Sequence, residues 1–214
     1  MSDSATSPRA TPFPAVPKHR LEALSDGIYA IALTLLVLEL KIPELAEGAS
    51  DAALGEALVA LVPKALFWLL SFWVIALFWL AQQRLYRLCA VIDGVLLRTE
   101  LAQLSLISLF PFSNALLGDH GGRRIAAVAY AAHLLLIALL SARRTWHFVG
   151  HPEIHGPEMT AEAARSLRTR SRVLVLAALA ATGLGFVVPG WNMLAMLPTA
   201  FLSRFGGGQT SRRA

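Results

Sequence analysis

Long apolar runs separated by short polar stretches make up most of the chain, and their lengths predict its elements. Six runs are long and apolar enough to span a bilayer: residues 21–41, 63–83, 92–117, 124–148, 171–189 and 190–205. At 1.5 Å of rise per helical residue the first four cross a hydrocarbon core of about 30 Å. The last two are close to the lower limit and meet at Val188-Pro189-Gly190-Trp191, where a Pro-Gly pair breaks a helix and predicts a tight hairpin between two spans. Residues 149–170 form the longest polar interruption, with His151-Pro152-Glu153-Ile154-His155 followed by a helix start at Thr160-Ala161-Glu162. That loop is too short to bury a core of its own. No internal repeat stands out, so a symmetric pore requires several copies of the chain.

Composition agrees with this pattern. Apolar residues are 56% of the 214, charged residues 15%, and mean hydropathy is +0.57. A water-soluble domain carries about a quarter charged residues, so this chain lacks the polar groups to coat an aqueous surface. Residues 1–17 contain Ser, Thr, Ala and four prolines without an apolar centre, and read as a disordered cytoplasmic leader rather than a signal peptide. Residues 18–205 form one transmembrane domain, and 206–214 a flexible basic tail. The single cysteine, Cys89, excludes an intramolecular disulfide.

The net charge of +5 gains meaning from its placement. Basic residues sit at the ends of the apolar runs, which argues against nucleic acid and for a topology signal. With the N-terminus inside, fifteen of the nineteen Lys and Arg fall on inner segments, leaving Lys41, Lys64, Arg123 and Arg124 outside. The connection after the first span is acidic, with Glu39, Glu44, Glu47, Asp51 and Glu56. The expected fold is therefore an all-α membrane protein with six transmembrane helices per subunit and both termini cytoplasmic, in a cell membrane.

The candidate chemistry is concentrated in the first span. Asp26 lies at the edge of an apolar helix, where an unpaired carboxylate costs several kcal/mol, so it needs partners and should not face lipid. Arg20 and Ser25 are near in sequence, and other partners can come from neighbouring helices; the plainer reading leaves Arg20 and Glu22 as markers of the membrane interface. At 100° per residue Ile31, Leu35 and Leu38 share a narrow stripe with Thr34 beside it, while Asp26 is about 140° from Ile31. A stripe of this kind more often serves packing or lipid contact than a pore, and periodicity alone does not choose.

The run Arg20-x-x-x-Leu24-Ser25-Asp26 resembles the Arg-x-x-x-Phe-Ser-Asp motif of the transmembrane protein 175 family of potassium channels. The resemblance continues at Ala30-Ile31, Thr34 and Leu38-Glu39, at Ser71-Phe72-Trp73-Val74 and Trp79, and at Pro111-Phe112-Ser113 with Ala115-Leu116-Leu117-Gly118. It covers roughly 18–205 and is similar to prokaryotic members in the order of six spans. It implies a homotetramer with first helices around a central pore that passes K+ and is narrowed by large apolar side chains, here Ile31, Leu35 and Leu38. By the same resemblance Thr34 supplies a selectivity hydroxyl, and Arg20, Ser25 and Asp26 brace the first helix. Glu39 is either a charge at the outer mouth or one that simply ends the span. Leu24 stands for the motif's Phe, and Gln82-Gln83 for a His pair of many members, so a pH response through those histidines is not expected.

Other classes find less support. A secondary transporter or proton-permeable channel needs ionisable groups at mid-membrane, and Asp26, Arg98, Glu100 and His133 are few and mostly near span ends. An enzyme would need a catalytic constellation, and none is recognisable; a scaffold lacks any positive mark. His151 and His155 are four apart, but Pro152 interrupts a helix there and no ligand set is completed, so no metal or other cofactor is expected. His133 reads as a packed, hydrogen-bonded residue. Pro111 is expected to kink the third helix, with Ser113 or Asn114 meeting freed backbone groups.

Overall fold

The computed structural model describes residues 16–41, 44–120 and 122–187, all helical apart from connections. The expected sixth span, its Val188-Pro189-Gly190-Trp191 hairpin, most of the leader and the 206–214 tail lie outside the described residues. The described residues form five helices: α1 (Lys18–Leu35), α2 (Asp51–Leu88), α3 (Gly94–His120), α4 (Arg124–Gly150) and α5 (Ala161–Val187). A 3-10 turn, Leu36–Glu39, continues α1, and another, Pro152–Ile154, follows α4. All five helices are long and apolar enough to cross a membrane, α1 together with its 3-10 turn.

Two helices exceed their expected bounds. Pro63 looks like a helix start, because proline suits the first helical position. Instead α2 runs through it and begins at Asp51. The extra turns are rich in Ala and Leu, strong helix formers. Ser50 caps them by accepting a hydrogen bond from the Ala53 N–H at 3.3 Å, and Asp51 suits the positive end of the dipole. At 38 residues α2 is about 57 Å long. Lys64 pairs with Asp119 near the end of α3, so residues 51–63 project beyond that end. The helix start at Thr160 and the span expected from 171 are one continuous helix, α5, with Thr160 Oγ1 accepting from the Ala163 N–H at 3.1 Å.

The packing order is α1 on α3, α3 on α4 and α4 on α5, with α2 against α1 and α3. Small residues let α4 and α5 approach closely: Ala131, Ala138 and Ala142 on one, Ala177, Ala178 and Ala181 on the other are buried. Tyr29, Ile75, Phe78, Ile107, Phe110, Tyr130 and Leu134 fill the centre.

At the arginine-rich end the 149–160 stretch is no free loop. The Ala90 N–H donates to the Ile154 carbonyl at 2.9 Å, the Gly156 N–H to the Leu88 carbonyl at 2.7 Å, and Lys18 Nζ to the Cys89 carbonyl at 2.9 Å. A side chain at Gly156 would put its Cβ 3.2 Å from that Leu88 oxygen, so glycine permits the approach. Ile154 is buried with Leu21, Leu85, Leu96 and Phe148. His151 Nδ1 and His155 Nε2 lie 2.7 and 2.8 Å from the His147 and Phe148 carbonyls, satisfying the end of α4.

Asp93 caps α3, its Oδ1 accepting from the Leu96 and Val95 N–H groups at 2.7 and 3.1 Å, while Oδ2 lies 2.6 Å from His147 Nε2. Partial burial pushes its pKa up, but the Leu96 N–H, His147 and the Val95 N–H together outweigh this and hold it below the ordinary carboxylate value. A depressed native pKa contributes stability that is complete above the ordinary value and is lost as pH falls through the native one. Asp93→Asn keeps a capping oxygen but removes the charge. The melting-temperature gap between wild type and variant should therefore be present at neutral pH and close as pH falls below the ordinary carboxylate value. A gap that stays constant across that range would refute the assignment.

Candidate functional site

Helix α1 shows three sides. Leu21, Ser25, Tyr29, Ala32 and Leu36 are buried and face the bundle. The stripe predicted from spacing is the outward side: Ile31 is 60% exposed, Leu35 40% and Leu38 67%. Because Leu36–Glu39 is a 3-10 turn, in which residues three apart eclipse, Leu38 stands directly over Leu35. Thr34 is also exposed, and its hydroxyl donates to the Ile31 carbonyl at 2.9 Å. The hydroxyl proton is thus committed inward, leaving oxygen lone pairs for a cation outside.

Asp26 occupies the third side. The buried face centres about 100° from it around the helix, so it points sideways to α2 instead of into the core. Its Oδ1 accepts from Trp79 Nε1 at 2.8 Å and Gln83 Nε2 at 2.6 Å. Of the two sources of partners expected for Asp26, the neighbouring helix supplies them, not Arg20 or Ser25. Ser25 turns the other way and donates to Glu100 Oε1 at 3.1 Å. Arg20 is exposed, with no side-chain partner among the described residues. Gln83, one of the two departures from the family's His pair, is an Asp26 donor, whereas the buried Gln82 amide has no partner among the described residues. Glu39 is half-buried at a small cleft with Lys64, Asn114 and Asp119, turned away from the Ile31 stripe.

A second set of groups departs from the sequence expectation, which puts Glu100 near a span end and Arg144 among the inner arginines. Both are buried, 1% exposed in their side chains, and they form an ion pair linking α3 to α4. Ser25 adds α1 to this pair, and Gln103 Nε2 adds another tie by donating to Tyr29 Oη at 3.0 Å. The signal was available: a carboxylate inside an apolar run must be compensated, and Arg144 lies within the fourth run. Further along α3, His133 Nε2 lies 3.0 Å from the Leu106 carbonyl and Nδ1 2.7 Å from Ser113 Oγ, the hydrogen-bonded role expected of it. Ser113 Oγ also donates to the Phe110 carbonyl at 3.0 Å, beside Pro111.

The arrangement is an apolar, outward stripe carrying one hydroxyl, on a helix tied to its neighbours by charged and polar groups on its other sides. The family described as "Endosomal/lysosomal potassium channel TMEM175" matches residues 20–111. A potassium channel of Streptomyces collinus is 31% identical over 172 residues, covering 78% of this chain and 82% of that protein. A potassium channel of Chamaesiphon minutus is 37% identical over 131 residues, 60% of this chain and 64% of that one. The crystal structure of a lysosomal potassium-selective channel TMEM175 homolog from Chamaesiphon minutus superposes with a TM-score of 0.73 at 29% identity, over 88% of this chain and 97% of that chain. With motif, fold and relatives in agreement, this chain belongs to the TMEM175 family.

Proposed function

We propose that the chain is a subunit of a potassium-selective channel of the cell membrane, conducting K+ passively between the first helices of four identical copies. The observation that carries this reading is the exposure of Ile31, Leu35 and Leu38 on a helix whose other sides are held by neighbours. Those side chains form the narrow part of the conduit, where an apolar ring gates by destabilising the water column an ion needs. Thr34 oxygens replace part of the ion's hydration. Ser25 and Asp26 brace the helix within the subunit, Arg20 acts from the exposed side against a neighbouring copy, and Glu39 with the acidic 44–56 stretch raises cation concentration at the outer mouth. A sixth span over 190–205 returns the chain to the inner side, so that both termini are cytoplasmic, as the arginine distribution supports. Passive permeation calls for no catalytic group and no cofactor.

Reconstitution into planar bilayers tests this. Under asymmetric K+ and Na+ the wild type should give unitary current steps whose reversal potential moves towards the K+ equilibrium value. Flux that appears only when coupled to a second solute, without unitary steps, would point to a transporter. Thr34→Ala should shift that reversal potential towards zero with the steps retained; an unmoved potential removes Thr34 from the selectivity assignment.

A further inference from the structure

At the arginine-rich end α2 and α5 make little direct contact, and an open cleft of about 670 Å³, mouth included, separates them. Arg84 from α2 and Arg170 from α5 both line it, half-buried, among Leu77, Leu80 and Leu174. Neither guanidinium has a carboxylate within ion-pair distance among the described residues; Arg170 Nε reaches only Ser166 Oγ, at 3.2 Å. Residues 188–214 contain no Asp or Glu. Ser171, 8% exposed, also lines the cleft, and its Oγ has no hydrogen-bond partner among the described residues.

Two cations lining one cleft repel, and a buried hydroxyl without a partner is costly. One anionic head would relieve both, since phosphate oxygens accept from guanidinium and hydroxyl alike. A soluble anion would satisfy the charges but leave the leucines bare, and a neutral lipid would do the reverse. We propose that this cleft binds an anionic phospholipid, its phosphate between Arg84 and Arg170 and beside Ser171, with an acyl chain along Leu77, Leu80 and Leu174. Basic pockets between transmembrane helices recognise lipid headgroups in this way.

The test is the melting temperature of the full chain in neutral detergent with added phosphatidylglycerol, phosphatidylcholine or inorganic phosphate. Saturating phosphatidylglycerol should raise the wild-type value by about 5 °C, with little rise from the other two. R84Q/R170Q should lose that rise, and R168Q, an exposed arginine of the same helix, should keep it. Equal rises from both lipids, or an undiminished rise in R84Q/R170Q, overturn the site. A rise reproduced by phosphate alone overturns the lipid assignment. Native mass spectrometry of R84Q alone decides the matter if the double variant does not fold: phosphatidylglycerol adducts at wild-type abundance overturn the proposal.

Discussion

Glu100→Leu should be among the most damaging single substitutions in this chain, costing about 3–5 kcal/mol, the range for removing one member of a buried ion pair. The reason is asymmetry. A guanidinium does not shed its proton in a protein, so Arg144 would remain charged in the α3–α4 interface without compensation. Ser25 would lose its acceptor in the same step, loosening α1. Removing both charges as Glu100→Leu/Arg144→Met should recover much of the loss, because a well-packed apolar pair often matches or exceeds a buried salt bridge. The half-life of monodisperse protein in detergent at raised temperature measures this loss. A double variant as short-lived as Glu100→Leu would mean that shape, not charge, makes this site sensitive.

Ile31→Asn and Leu35→Asn should each raise unitary conductance severalfold. A carboxamide in an apolar ring gives water and ions hydrogen-bonding partners where the wild type offers none, lowering the dewetting barrier. The informative control is Leu36→Asn, one residue further along and fully buried. It places the same group in the bundle core, where it lacks partners, and should reduce folded protein without widening the conduit. If the exposed stripe instead faces lipid, Asn at 31 or 35 will leave single-channel conductance unchanged. That outcome would remove α1 from the conduction path.

The extent to which this structure is legible in the sequence differs between its parts. Run lengths locate the five described helices because a bilayer imposes length on every span. They miss the start of α2, because Pro63 marks a boundary by local rules while Ser50 and an Ala- and Leu-rich run extend the helix beyond it. The outward stripe of α1 follows from rotation alone, since Ile31 and Leu35 keep their angular relation wherever the helix packs. The partners of Asp26 do not. Trp79 and Gln83 lie more than fifty residues away on α2, and rotation about α1 says nothing of what stands beside it. Arg144 illustrates a different failure: a charge near the end of an apolar run is normally a topology mark, and only the position of Glu100 on the neighbouring helix makes it an interior group.

The 3-10 turn that ends α1 has a mechanical consequence. Among the described residues every side-chain tie of α1 to the rest of the bundle, from Lys18 through Ser25 and Asp26 to Tyr29, precedes Ile31. Beyond Tyr29 its packing is apolar, through Ala32 and Leu36. The upper part can therefore twist while the lower part stays clamped. Rewinding Leu36–Glu39 from three residues per turn to 3.6 would swing Leu38 by about 60° relative to Leu35. A change of winding confined to four residues is enough to turn Leu38 past Leu35, without tilting or sliding any helix.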